Sequence, residues 1–414
     1  MGNLDTPQPT MVEQTMRSHL AALAALTAAT ALISPPQAQA TRIDLAQEWY
    51  DITARTIAAA PAPTQITNNR TWAISWLAAA RAARHGHDRT FTEAAVATAV
   101  HDTLINLVPS QAPEVDRALA TTLARIPNGP SKSRGTSEGS AQAKRILTER
   151  SGDGLDPASV NAPFVVPPAA PGAWRPTPPA YSPAIQYGNR AAKPFALRRA
   201  DQFRPAPPPA LDSARYQRDL AEARDFGSST STVRTEAQTT VASFWYQGSQ
   251  PAFLTPLRVA LTESRGSLTD RVTLVAVFNI AAVDTQIATS DAKYTYLLWR
   301  PVTALRAGGL PDWTPLHVTP AHPDYPSGHG TYAGVAEQVL TALTGPRTRE
   351  PFELTSPTAP GVVFRYQAWR ELSRDNVNAR VWSGIHTRVA DEVGVELGRK
   401  VGRYTLDALD RLVR

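Results

Sequence analysis

An all-α fold, a helical bundle forming a single domain, is what the sequence predicts. Three observations carry this. Apolar residues recur at helical spacing through most of the chain, few stretches alternate as half-buried strands do, and 414 residues with 42% hydrophobic content can fill one large core. From Ile43 to Ile126 the pattern is helical. Thr67-Asn68-Asn69 caps a segment running to about Arg84, in which Trp72, Ile74, Trp76 and Leu77 recur. Thr92 opens a second segment through Leu107, Pro113 starts a third, and a fourth runs from about Ser137 to Ser151. Between Pro157 and Pro209 lie fourteen of the 36 prolines, interleaved with Phe164, Trp174, Tyr181, Tyr187, Phe195 and Phe203. Flexible linkers avoid aromatics, so this segment reads as an extended strap packed against the helices. Helical patterning then resumes at Arg215–Phe226, Thr232–Tyr246, Pro256–Glu263 and Ser267 to about Arg300. It ends with His329–Thr344, Gln367–Asn378 and Ser383–Leu412. Gly394, Gly398 and Gly402, four apart, mark a face for close helix packing.

Residues 16–40 read as a secretory signal. Arg17 and His19 precede an apolar run from Leu20 to Ile33, then Pro35-Pro36, then Ala38-Gln39-Ala40, which predicts cleavage before Thr41 and export to the periplasm or the exterior. The run is shorter than the ~20 residues of a membrane span. No other apolar run reads as long enough, so stable membrane insertion is not expected. Met1–Thr15 carries acids and prolines, which leaves Met11 and Met16 as alternative starts, and an Ala-rich helix is the competing reading. The mature chain, 41–414, is then one domain, with the strap at 157–209 and the site motifs at 290–391.

The absence of cysteine excludes disulfide scaffolds, thiolate metal sites and thiol nucleophiles. The net charge of +6 comes from scattered arginines rather than a basic stripe, so no nucleic-acid partner is expected. Against 37 arginines there are only five lysines. A homo-oligomer is compatible with this composition.

The chemistry concentrates near the carboxyl end, where His317, His322, His329 and His386 lie close in sequence. His85 and His87 read as a solvated turn, and His101 beside Asp102 as a helix-face residue. Lys293 and Arg300, seven apart, fall on nearly one helical face, with Pro301 ending the helix. A lysine buried there calls for an anion, although a surface lysine lying along an apolar helix is the plainer reading. Pro326-Ser327-Gly328-His329 places a hydroxyl, a glycine and a proton-transfer group at a helix amino terminus, whose free N–H groups suit an oxyanion. Arg380 and His386 follow, six apart, with Arg388 and Asp391 beyond.

In this order, Lys-x6-Arg-Pro, Pro-Ser-Gly-His and Arg-x5-His resemble the triple signature of the type 2 phosphatidic acid phosphatase and vanadium haloperoxidase superfamily. The stretches AVHDTLINLVPSQ, DAKYTYLLWRPVTALR and PDWTPLHVTPAHPDYPSGH, with the Pro-rich strap, look like its bacterial haloperoxidase-like branch. The resemblance implies the helical-bundle fold of that superfamily and vanadate as cofactor, with phosphate able to take the same pocket. Lys293, Arg300 and Arg380 would hold the oxyanion's oxygens, Ser327 and the Gly328 N–H would complete the cradle, His386 would ligate vanadium and His329 would act as acid/base. Three cations make such a pocket self-repelling without its anion.

Two activities are implied. As a haloperoxidase, the chain would oxidise halide with hydrogen peroxide, Lys293 polarising the peroxide, for delivery to a small organic substrate. As a soluble acid phosphatase, it would use a phosphohistidine at His386. His322 matches a position that is His in algal bromoperoxidases and Phe in fungal chloroperoxidases. Ser290 occupies a position that is commonly Trp at the halide site. Both are halide-site candidates, and the missing Trp favours bromide over chloride. Asp391 lies five residues after His386, about 140° around a helix, where it is poorly placed to orient that ring.

Overall fold

A computed structural model describes residues 44–86 and 88–414. The signal at 1–40, the alternative starts and His87 lie outside the described residues. The protein is mostly helical, and among the described residues its one sheet is an antiparallel hairpin of Arg347–Thr355 and Val363–Ala368. That hairpin lies where no element was expected, and the helix expected at Gln367–Asn378 follows it as Trp369–Trp382. The pair carries Pro351 and a register irregularity between Arg347 and Phe352, which a two-stranded ribbon tolerates because its edges are free.

The first helices follow the sequence pattern with earlier starts. Gln65–Arg84, Arg89–Leu107, Ala112–Arg125 and Pro130–Glu149 each begin one to seven residues before the expected position, Asp88 capping the second through Phe91 N–H. Trp49, Trp72 and Trp76 are buried between these helices and the long helix Leu268–Tyr296. That helix is long and apolar enough to cross a membrane, contrary to expectation, but nearly all of its apolar window is covered by protein.

The same helix is the spine to which the strap is tied. Asp284, fully buried, accepts the backbone N–H groups of Phe195, Ala196 and Leu197 at 2.7, 2.7 and 2.8 Å. Two turns on, Asp291 takes a forked pair from Arg204 at 2.7 and 2.9 Å, with Arg190 at 3.3 Å. Asp284 and Asp291 therefore anchor the strap from nearly one face. Tyr294 and Tyr296 donate their hydroxyls to the Ile185 and Pro205 carbonyls.

The helix stops at Tyr296, four residues earlier than the sequence suggests, because Leu297 adopts a left-handed conformation at φ 52°. Leu298–Arg300 then runs extended. It zips to the strap through Trp174 N–H to Leu297 O at 2.7 Å and Trp299 N–H to Gly172 O at 2.8 Å. Pro301 opens a new helix, Pro301–Ala307, rather than closing the old one. Lys293 and Arg300 thus do not share a helix.

Helices Gly328–Thr344 and Arg388–Asp407 interlock through glycines. A Cβ on Gly394 would meet Ser327 O at 2.7 Å, one on Gly398 would meet Thr331 O at 2.0 Å, and one on Gly334 would meet Val395 O at 2.0 Å. The glycine face reads as the sequence implied, and it fixes how close Ser327 and His329 come to the segment after His386.

Candidate active site

Lys293, in the last turn of its helix, is buried at 1% exposure. Its ammonium donates to Pro323 O at 2.5 Å and Asp324 O at 3.0 Å, leaving one of three N–H bonds uncommitted. Burial pulls its pKa well below the ordinary lysine value, with Arg300 pushing the same way and Asp324 and Asp391 opposing.

Arg300 caps the Pro301 helix and is fully buried. Nε donates to His322 O at 2.7 Å, Nη1 to Ile385 O at 2.6 Å and Nη2 to His322 Nδ1 at 2.9 Å. Nη1 also lies 3.3 Å from His386 Nδ1 and 3.1 Å from Nε2. Near-equal distances to two ring nitrogens put Nη1 against the face of the imidazole, not along either lone pair. Burial lowers Arg300 to about 10.

Arg380, in the last turn of helix Trp369–Trp382, donates to Trp245 O, and its guanidinium lies 5.9 Å from the Tyr246 ring centre. Its Nε is buried with no hydrogen-bond partner, and burial brings its pKa to about 10. Ser327 caps helix Gly328–Thr344, accepting Gly330 N–H at 3.2 Å and donating its own N–H to Ala390 O at 2.8 Å. A Cβ at Gly328 would meet nothing within 4 Å.

His329, half-buried, sits 2.9 Å from Gln247 O through Nε2. A carbonyl only accepts, so Nε2 carries the hydrogen and Nδ1 the lone pair of the neutral ring. Burial first, then Arg380, depresses its pKa to about 3. Trp245 and Gln247, two residues apart, therefore grip Arg380 and His329 with their carbonyls. His386, at 1% exposure, lies between helices Trp369–Trp382 and Arg388–Asp407, its pKa held well below 6.5 by burial and by Arg300 and Lys293.

The structure therefore gathers Lys293, Arg300, His322 and His386 into direct or shared contacts, with Ser327, Gly328, His329 and Arg380 on adjoining elements. His322 is buried and joins through Arg300. Ser290 is buried one turn before Lys293. His317 stays outside the cluster, stacked on Tyr246 at 4.3 Å and bonded to Ser383 Oγ at 3.0 Å. His101 is bridged between Asp102 at 2.6 Å and Asp116 at 2.7 Å, which serves packing between helices.

Two acids correct the picture of three unopposed cations. Asp324, absent from the sequence reading, and Asp391 are both fully buried beside them. Asp324 Oδ1 lies 2.5 Å from His386 Nδ1. Burial pushes both carboxyls upward, Asp391 well above the carboxylate range, against the pull of neighbouring cations and, at Asp324, of the Thr387 hydroxyl. Asp391 does not touch His386, and neither of its carboxylate oxygens has a hydrogen-bond partner. A separate cavity of about 700 Å3, lined by Arg175, Tyr216, Leu220 and Trp299, lies behind the residue preceding Arg300 and holds none of the motif residues.

The donor set suits a small tetrahedral oxyanion. Arg380 contributes a buried guanidinium N–H without a partner, Lys293 an uncommitted proton, and the helix start at Gly328 free N–H groups with no atom near its Cβ position. Fold and site thus define a helical-bundle protein with a buried cluster of cations and histidines.

Residues 273–414 match the family model described as the VCPO second helical-bundle domain. Vanadium chloroperoxidase of Curvularia inaequalis is 26% identical in an alignment 225 residues long that covers 38% of this chain and 37% of the relative. The chain therefore spans little more than a third of that curated relative. Among solved structures, the first bacterial vanadium-dependent iodoperoxidase matches with a TM-score of 0.75 at 23% identity, over 88% of this chain and 97% of that one. A holo-type bacterial vanadium-dependent chloroperoxidase matches at 0.65 and 17%, over 86% and 94%. These structural likenesses establish the fold. The chain is related to the vanadium haloperoxidases, by sequence through residues 273–414 and by fold over most of its length.

Proposed function

We propose that the protein is a vanadium-dependent haloperoxidase, exported, acting on hydrogen peroxide and a halide, with bromide favoured over chloride. The observation that carries this is the convergence of three buried cations, a helix amino terminus with free N–H groups and the histidines His329 and His386, in a chain related to the vanadium haloperoxidases. Vanadate held there supplies a Lewis-acidic centre that activates peroxide toward halide.

The chain's own residues have separable tasks. Arg380, with its orphaned Nε, and Lys293 and Arg300 neutralise and orient the anion's oxygens by charge-assisted bonds. Gly328 keeps the helix start clear for it. His329, neutral over the working pH range, accepts a proton at Nδ1 while Gln247 holds Nε2. His386 supplies the single protein ligand. His322, donated to by Arg300 at Nδ1, is a neutral polar neighbour for the halide.

Purified protein incubated with orthovanadate, peroxide and bromide is expected to brominate a phenolic dye, with phosphate competing. His386→Ala abolishes turnover and orthovanadate binding. His329→Ala lowers turnover far more than binding. Hydrolysis of a phosphate ester without vanadate, inhibited by adding it, would instead assign the phosphatase chemistry of the same superfamily.

A further inference from the structure

We propose that Asp324 is the positioning residue for His386: its carboxylate accepts the Nδ1 hydrogen, fixing the tautomer that presents the Nε2 lone pair to the bound anion. This rests on the reading of His386 as the anion's protein ligand, and it names a carboxylate far from the position, a few residues after the histidine, where the motif would place one.

The geometry is over-determined. Asp324 Oδ1 lies 2.5 Å from His386 Nδ1, while Oδ2 takes Thr387 Oγ at 2.7 Å and Thr387 N at 3.3 Å. Every group with a defined hydrogen around this carboxylate is a donor, including Arg300 Nη1 at 3.8 Å. Nδ1 is therefore the ring nitrogen that bears the hydrogen, and Nε2 the one left with a lone pair. Arg300 does not claim that lone pair, because it lies against the ring face. The rival carboxylate, Asp391, makes no hydrogen bond to the ring.

Asp324 is itself fixed from three sides. Its N–H donates to Leu298 O at 2.9 Å, its carbonyl receives Lys293 Nζ at 3.0 Å, and its side chain is fully buried. Leu298 belongs to the extended segment that the strap holds. One residue thus ties the Lys293 helix, the Arg300 segment and the His386 loop into a common frame, three residues before Ser327. Partners of this kind orient a ligating imidazole and raise its basicity, and their loss typically weakens ion affinity ~10- to 100-fold.

The test uses the full chain labelled with 15N-histidine, free of oxyanions. The His386 resonances, assigned by their loss in His386→Ala, are expected to show an Nδ1-protonated ring with an unprotonated Nε2. In Asp324→Asn the ring should populate both tautomers and orthovanadate affinity, measured calorimetrically, should fall at least ~10-fold. Thr387→Val, which removes only the second contact, should leave the tautomer unchanged. An Nε2-protonated ring in the unmodified protein overturns the proposal, even if Asp324→Asn does not fold. So does an Asp324→Asn protein with the original tautomer and affinity. A correct tautomer in a chain that binds no orthovanadate sinks the proposed function while leaving the Asp324–His386 pairing intact.

Discussion

Replacing Gly398 with alanine and replacing Gly328 with alanine are the same chemical change with different expected consequences for stability. At Gly398 the new methyl group would stand 2.0 Å from the Thr331 carbonyl oxygen and 2.8 Å from Val335 N, both backbone atoms that cannot rotate aside. Restoring ordinary contact at 3.4 Å requires the two helices to part by about 1.4 Å. Overpacking of this kind costs ~1–3 kcal/mol, and an unyielding backbone partner puts Gly398→Ala near the upper end. For a chain of this size that lowers Tm by roughly 3–4 °C. The parting also carries Ser327 and His329 away from the His386 side, so phosphate affinity should fall as well. At Gly328 nothing lies within 4 Å, and alanine at a helix start is neutral or stabilising by up to ~1 kcal/mol. On the proposed function, however, the methyl group would crowd the N–H groups that receive the oxyanion. Gly328→Ala is therefore expected to keep its Tm and lose phosphate affinity ~10-fold or more. Differential scanning calorimetry and phosphate titration read both quantities. A Gly398→Ala protein with unaltered Tm, or a Gly328→Ala protein with full affinity, would refute the packing and the cradle respectively.

Stability should depend on acid in a specific window. Burial depresses His329 to about 3 and His317 to about 4, from an ordinary 6.5. Below pH 6.5 the unfolded chain takes up protons that the folded rings refuse, so stability is intact above 6.5 and is lost as pH falls toward 4. Tm measured against pH should bend downward near 6.5, and His317→Gln should make the descent shallower. Removal of the Asp284 carboxylate in Asp284→Ala leaves three N–H groups without an acceptor, those of Ala196 and Leu197 buried and that of Phe195 half-buried. At ~1–3 kcal/mol for each unsatisfied group, urea denaturation should show a loss of about 3 kcal/mol or more. A shift under 1 kcal/mol would mean the strap is not held there.

The cations and the helix-start motif were legible because each is a short local pattern with fixed chemistry: Lys293 and Arg300 seven apart, Ser327-Gly328-His329 contiguous, Arg380 and His386 six apart. Asp324 was not, because its partner is 62 residues away and nothing in local spacing links Pro323-Asp324-Tyr325 to His386. The carbonyls of Trp245 and Gln247 are likewise invisible, since a backbone acceptor leaves no residue-type signature. The end of the long helix was misplaced because a left-handed leucine is uncommon and Pro301 offered an obvious stop. The hairpin at 347–368 was missed because an internal proline and a register irregularity obscure its alternation.

The turn at Trp245–Gln247 also bears on how the chain can be divided. The segment matched by the family model, 273–414, contains every motif residue, yet the carbonyls that aim Arg380 and His329 lie ahead of it, as does the Gly172–Trp174 stretch that straightens the approach to Arg300. A fragment beginning at residue 273 would keep the reactive groups and lose the parts that point them. The unit of recognition by sequence is thus smaller than the unit of chemistry, and an excised carboxyl-terminal third should fail to hold an oxyanion however well it retained its helices.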